Sequence, residues 1–185
     1  IKKKFLILKI YPDIEKKVIK IIKSGTMSTL NSVEEILLAE KLISLHPWSE
    51  MARFTRSGGE ANAVAIRIAR AASGKDNVAI CGYHGWHDWY LSSNITNKKS
   101  LDQHLMNSTP IAGVPKNLKN TVFPFEYNNF QQLRAIVENK NIGTIKMEVK
   151  RNHEPTNNFL KKVRKLATDK NIVLIFDECT SGFRQ

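Results

Sequence analysis

Short apolar runs of strand length alternate with helical patterns along most of the chain. Three such runs stand at residues 77–81, 142–149 and 172–176. A predicted helix precedes each of them, at residues 60–72, 129–139 and 156–170. Strands that alternate with helices in this way predict an α/β fold, in which a mainly parallel sheet carries helices on both faces.

Two further helices are predicted before the first of these segments. One begins at Pro12 and stops at Gly25, since glycine commonly follows the last turn of a helix. The other begins at Asn31 or Ser32, has glutamates in its first turn, and ends before Pro47, which cannot continue a helix. The chain therefore opens with a helical pair.

The remaining segments are less regular. Residues 51–55 are predicted to form a short strand. Residues 94–120 form a polar stretch that is too long for a simple connection in a compact domain, and loops of this length are usually functional or disordered.

A net charge of +12 meets the first requirement for binding nucleic acid. The positive charges are mostly lysines spread along the chain, however, so we expect no nucleic-acid partner. The apolar runs are far shorter than the ~20 residues that span a bilayer, and no signal-peptide pattern opens the sequence. Cys81 and Cys179 stand far apart without a CxxC pair, which predicts neither a disulfide framework nor a zinc site and favours a cytoplasmic location.

Ser57, Gly58 and Gly59 lie directly before a predicted helix. The unpaired N–H groups and the positive end of a helix dipole attract anions at such a position, and a phosphate would fit there. A glycine turn before a helix also occurs without any ligand, and the spacing by itself leaves both interpretations open.

Asp177 and Glu148 each stand at the end of a predicted strand. Open α/β sheets bind their ligands at the carboxyl edge, so these carboxylates are candidate site residues. The alternative is that Asp177 begins a polar turn and that Glu148 is a solvated or ion-paired surface group.

The cluster CGYHGWHD, residues 81–88, follows another strand. It offers aromatic faces, imidazoles and flexible glycines in one turn. His84 and His87 lack a third ligand at helical spacing and predict no metal site. An aromatic face for a planar ligand is the better interpretation.

Three motifs, in this order along the chain, resemble the class III aminotransferases: RFTRSGGEANAVAIRIARAASGKDNVAICGYHGWHD, a glutamate at the end of a middle strand, and LIFDECTSGFR. Within that class they look most like the glutamate-1-semialdehyde aminomutase branch. The resemblance extends from Pro12 to the end and implies a fold-type I large domain with pyridoxal 5'-phosphate as cofactor. It also implies amino-group transfer by a homodimer, either as a transaminase acting on a small-molecule amino donor and a carbonyl acceptor or as a glutamate-1-semialdehyde-type aminomutase.

The resemblance carries over to eight cofactor-binding residues: Ser57, Gly58, Gly59, Tyr83, His84, Glu148, Asp177 and Cys179. The glycines would offer N–H groups to the cofactor phosphate, and Tyr83 would stack on the pyridine ring. Asp177 would accept a hydrogen bond from the pyridinium nitrogen and keep it protonated. Glu148 would support the cleft, Cys179 would pack under the ring, and His84 is a further cleft residue. Gly59 departs from the family pattern, because many relatives have threonine there.

The resemblance also identifies what is missing. Residues 1–10 do not match the family and are interpreted as a miscalled start, while residues 11–185 form a partial large domain without the small C-terminal domain. The lysine that holds the cofactor as a Schiff base is not in the chain, since neither Lys146, on a strand, nor Lys170, at a helix end, has its context. We expect the chain alone to be inactive. The alternative is a non-catalytic remnant of such an enzyme.

Overall fold

The computed structural model describes residues 11–25, 29–104, 110–150 and 152–183. The chain divides into two compact units, with the boundary between Arg53 and Phe54. The stretch at residues 1–10, singled out from the sequence, lies outside the described residues. In the part described, no helix combines the length and the apolar character needed to cross a membrane.

The first unit contains the two predicted helices, α1 (Pro12–Ser24) and α2 (Val33–Leu45). Gly25 follows α1 with a positive φ of 104°. The side chain of Ser32 accepts a hydrogen bond from the Glu35 N–H, and the Glu35 carboxylate accepts one from the Ser32 N–H, both at 3.3 Å. This reciprocal capping box fixes the start of α2 at the second of the two predicted positions.

The predicted strand at residues 51–55 is wrong. These residues form an irregular segment, and none of the described strands pairs with them. A short apolar sequence cannot remain a strand without a neighbour to complete its backbone hydrogen bonds.

The second unit is built on a four-stranded sheet in which every pair of neighbouring strands is parallel, in the order β2-β1-β3-β4. Its helices and strands, in chain order, are α3 (Gly58–Ser73), β1 (Asn77–Cys81), α4 (Asp88–Leu91), α5 (Ser93–Thr96), β2 (Val122–Pro124), α6 (Phe130–Asn139), β3 (Ile142–Glu148), α7 (Phe159–Asp169) and β4 (Val173–Asp177).

Side chains that alternate along β1 pack into two separate cores. Val78 and Ile80 belong to a cluster that includes buried residues of α3 and α4. Ala79 and Cys81 belong to another, which includes buried residues of α6 and α7. The predicted architecture, a parallel sheet with helices on both faces, is therefore confirmed.

The region between β1 and α6 was the least predictable part of this unit. The sequence did not predict α4, α5 or β2, and the predicted polar stretch includes 3₁₀ helices at Asp102–His104 and Lys116–Leu118. Residues 105–109 of that stretch lie outside the described residues. Strand β2 has only three residues and includes a proline, so its sequence carries no strand period.

Candidate active site

The carboxyl ends of three neighbouring strands bring the predicted carboxylates together. Glu148, the last residue of β3, pairs in register with Asp177, the last residue of β4. Cys81, the last residue of β1, pairs with Met147 on the other side of β3. The site predicted from strand ends therefore lies at one edge of the sheet, where open α/β sheets bind ligands.

Asp177 accepts three hydrogen bonds within this edge. Its Oδ2 lies 3.0 Å from Nδ1 of His84 and 3.3 Å from Nζ of Lys146. Its Oδ1 accepts a bond of 3.1 Å from the backbone N–H of Cys179. Burial alone would raise the pKa of Asp177, but the bond from His84 and the charge of Lys146 outweigh it and hold the pKa well below its usual range. The carboxylate is therefore ionised at neutral pH.

His84 is fully buried between two hydrogen-bond acceptors. Its Nδ1 faces Asp177, and its Nε2 lies 3.1 Å from the carbonyl oxygen of Cys81. Burial lowers the pKa of His84 to about 4, because the bond to Asp177 only partly offsets the lost hydration. The ring thus links the end of β1 to the end of β4.

Lys146 is a site residue that the sequence analysis did not identify. Its side chain is 1% exposed, and its ammonium lies 3.3 Å from Oδ2 of Asp177. Burial lowers the pKa of Lys146, while the charge of Asp177 opposes that shift. The available signal was strand alternation: Lys146 and Glu148 stand two residues apart on β3 and therefore on the same face.

Glu148 is also buried, and its carboxylate lies against the backbone of the loop that follows β1. A Cβ added at Gly82 would lie 2.5 Å from Oε2 of Glu148, and Gly82 has a positive φ of 106°. The Gly82 N–H donates a hydrogen bond of 3.0 Å to Nδ1 of His104, which comes from the long polar stretch. His104 is a second residue that the sequence analysis missed, since nothing in the sequence pairs it with this loop.

The start of α3 presents N–H groups to solvent. The side chain of Ser57 caps the helix by accepting a hydrogen bond of 3.2 Å from the Glu60 N–H. Within the described part of the chain, the N–H groups of Gly58 and Gly59 donate no hydrogen bond, as expected for the first residues of a helix. These free N–H groups stand at the position predicted to bind an anion, and that role stays a prediction.

The loop after β1 packs directly on this helix start. A Cβ added at Gly85 would lie 3.1 Å from Cα of Gly59, so a larger residue at position 85 would require the two backbones to move slightly apart. Asn62 of α3 donates a hydrogen bond of 3.1 Å to the carbonyl oxygen of His84. Through His84, contacts lead from the turn at Gly59 to Asp177.

A Cβ added at Gly59 would lie 2.8 Å from Nε2 of His87. The imidazole of His87 therefore occupies the space that a larger residue at position 59 would need. Gly59, predicted from the resemblance to depart from the family pattern, thus has a close neighbour in the structure that leaves room for glycine.

Two of the predicted residues are placed less directly. Tyr83 is partly buried, and its ring meets the edge of Tyr90 with centroids 6.1 Å apart. Cys179 is exposed, and its backbone N–H, not its thiol, is what contacts Asp177. Their predicted contacts with the cofactor ring stay predictions. No group of three or more His, Cys, Asp or Glu side chains in the described ranges is placed to hold a metal ion.

Comparison with known proteins reveals relatives along nearly the whole chain. The family model for aminotransferase class-III matches residues 10–185. A glutamate-1-semialdehyde 2,1-aminomutase from Campylobacter hominis is 37% identical over 93% of this chain and 38% of its own length. A 3-aminobutyryl-CoA aminotransferase from Cloacimonas acidaminovorans is 34% identical over 93% of this chain and 40% of its own length.

Among solved structures, an omega-transaminase from Sphaerobacter thermophilus superimposes with a TM-score of 0.78 and 28% identity, over 92% of this chain and 41% of that one. The predicted fold-type I architecture is thereby confirmed. The chain spans about two fifths of the length of the curated relatives it matches. A family match over residues 10–185, together with this fold, shows that the chain belongs to the class III aminotransferases.

Proposed function

We propose that the protein binds pyridoxal 5'-phosphate at the carboxyl edge of its sheet and takes part in amino-group transfer between a small-molecule amino donor and a carbonyl acceptor. One observation carries this proposal. Asp177 is bonded to His84, and the loop that contains His84 packs on the start of α3. An ionised carboxylate and a helix end with free N–H donors thus belong to one connected site. A cofactor with a phosphate and a basic ring nitrogen needs both.

The start of α3 suits the phosphate end. Gly58 and Gly59 offer N–H groups that no described residue uses, and the hydroxyl of Ser57 can donate to a phosphate oxygen while accepting from the Glu60 N–H. The helix dipole adds favourable charge at this end. We assign these three residues to phosphate binding.

Asp177 suits the pyridine end. It is ionised at neutral pH, and an ionised acceptor strengthens a hydrogen bond to about 1.5–3 kcal/mol. The carboxylate would orient the ring and hold a proton on its nitrogen. When bound, the cofactor withdraws electrons from the amino-bearing carbon of the substrate. His84 fixes the orientation of Asp177.

The remaining predicted residues take supporting roles in this proposal. Tyr83 would cover one face of the ring, and Cys179 the other. Glu148, buried behind the loop at Gly82, adds negative charge to the cleft. The complete protein is proposed to be a homodimer, in line with the resemblance seen in the sequence.

We further propose that no lysine of this chain attaches the cofactor. Lys146 is the buried lysine of the site, but it lies against Asp177. The aldehyde of pyridoxal phosphate stands on the ring carbon opposite the nitrogen, so an amine beside Asp177 is at the wrong end of the ring. The chain alone is therefore expected to bind cofactor without turning over an amino donor.

The test is a titration of the full chain with pyridoxal phosphate, followed by absorbance. Replacing Asp177 with Asn keeps the shape but removes the charge, and should weaken binding by at least about tenfold, the equivalent of 1.4 kcal/mol. The matched control is Asp169→Asn, because Asp169 is an exposed carboxylate in an ion pair with Lys165 on α7. Absence of binding by the wild-type chain, or equal affinity in Asp177→Asn, would overturn the proposal.

A further inference from the structure

Three ionisable side chains are buried at the carboxyl edge of the sheet, His84, Lys146 and Glu148. Asp177, which contacts two of them, is partly buried, with 9% of its side chain exposed. The proposed function gives Asp177 a direct role, and His84 a role in fixing it. It leaves Lys146 without one. A buried ammonium is costly unless it is paired, so its presence in a fully buried strand calls for an explanation.

The contacts of Asp177 show what Lys146 does to this carboxylate. Lys146 and His84 both lie against Oδ2, and the Cys179 N–H occupies one position on Oδ1. A carboxylate offers about four lone-pair positions, so one remains for a further donor. That donor would meet a carboxylate whose negative charge is already shared with an ammonium.

We propose that Lys146 is a positioning residue for the pyridine nitrogen of the cofactor: its ammonium holds Asp177 in place and weakens that carboxylate as a proton acceptor. The inference rests on the proposed function. Lys146 does not touch the cofactor in this arrangement, and it acts through Asp177 alone. The nitrogen then retains its hydrogen bond but binds its proton less tightly than beside an unpaired aspartate.

The physical basis is the Coulomb interaction at short range. A positive charge within a few ångström of a titrating base lowers its pKa by about 1–3. The groups that face Lys146 are Asp177 from β4, Glu148 from its own strand, and His84 from the loop after β1. Glu148 and Asp177 carry the negative charges in this set. Removing the Lys146 charge leaves the pyridine nitrogen beside carboxylates alone, which favours its protonated form.

The experiment uses pyridoxamine 5'-phosphate labelled with ¹⁵N in the ring, because this form of the cofactor needs no covalent attachment. It is bound to the full chain, and the pKa of the ring nitrogen is measured from its ¹⁵N chemical shift as a function of pH. We expect Lys146→Met and Lys146→Gln to raise that pKa by about 1 or more. Lys146→Arg, which keeps the charge, should restore the wild-type value, and Lys170→Met, at the exposed end of α7, should not change it.

The outcomes separate this inference from the function on which it rests. If pyridoxamine phosphate binds and both neutral variants titrate like the wild type, the role of Lys146 is overturned and the cofactor site stands. Weaker binding without a change in the pKa would likewise show that Lys146 is only structural. If Lys146→Met does not fold, the Gln variant decides the result. No binding by the wild type overturns the proposed function and this inference together.

Discussion

Nδ1 of His84 lies 3.0 Å from Oδ2 of Asp177, although the two residues are 93 positions apart in the chain. Nε2 of the same ring faces the carbonyl oxygen of Cys81 at 3.1 Å. Both ring nitrogens therefore face acceptors, while a neutral imidazole carries a single proton. Burial opposes a second proton, so the charge of this ring in the folded state determines how stability responds to pH.

We predict that acid destabilises the fold through His84. The pKa of His84 is lowered to about 4 in the folded state, whereas an unfolded histidine titrates near about 6.5. As the pH falls between these values, only the unfolded chain gains the proton. The contribution of neutral His84 to the free energy of unfolding is therefore fully present above about pH 6.5. It decreases by up to about 1.4 kcal/mol per pH unit as the pH falls towards 4. Urea unfolding across this range measures the slope.

His84→Asn is the matched control for that slope. An asparagine can donate an N–H to Asp177 but does not titrate, so the variant should lose the part of the slope that belongs to His84. His104, whose pKa burial also lowers, remains in both proteins and cancels from the difference. If instead the wild type became more stable than His84→Asn as the pH falls, the ring would be charged in the folded state, which its two acceptors favour.

Gly82→Ala should destabilise the chain more than Gly113→Ala. Both glycines have a positive φ, which costs a residue with a Cβ about 1–2 kcal/mol. Nothing lies within 4 Å of a Cβ at Gly113, whereas a Cβ at Gly82 would lie 2.5 Å from Oε2 of Glu148. Overpacking adds about 1–3 kcal/mol. The free energy of unfolding of both variants measures the difference.

The contribution of Glu148 to that difference can be isolated. In a Glu148→Ala background the carboxylate is gone, so Gly82→Ala should cost no more than Gly113→Ala. An unchanged excess in that background would contradict the close approach of Glu148 to the Gly82 backbone.

Ser57→Ala should lower both stability and cofactor affinity. Losing an N-cap costs about 1 kcal/mol of stability, and losing a hydroxyl donor to a phosphate costs about tenfold in affinity. Ser32→Ala removes the N-cap of α2, in the other compact unit, and should cost similar stability without changing the affinity for pyridoxal phosphate. Equal affinity in the Ser57 and Ser32 variants would mean that Ser57 is a cap and nothing more.

The fold was largely predictable because its signals are local. The run at Asn77–Cys81 and the helices on either side of β3 carry their period in consecutive residues. The spacing of Ser32 and Glu35 identified one of the two caps that the sequence allows for α2, and the structure selects it. Strand β2 could not be predicted from its sequence, because three residues that end in proline form a strand only when β1 supplies the partner.

The meeting of Asp177 and Glu148 was predictable, because each residue stands at the carboxyl end of a strand in the same sheet. Lys146 was missed for a physical reason. A lysine within a fully buried strand is explained by the carboxylate that pairs with it, and that carboxylate, Asp177, lies on another strand. The match between Gly59 and His87 is likewise a contact across space, which no local pattern records.

The bond between His84 and Asp177 also forms late during synthesis, because β4 is the last of the four described strands to be made. Strand β1 leaves the ribosome before its neighbours β2 and β3, so both of its edges stay unpaired for a time, a state that favours association with other chains. In the proposed function, the pyridine end of the cofactor site forms only when β4 docks and brings Asp177 to His84. A ligand that requires this contact would bind only chains in which β4 has docked, and by mass action it would shift newly made protein towards the folded state.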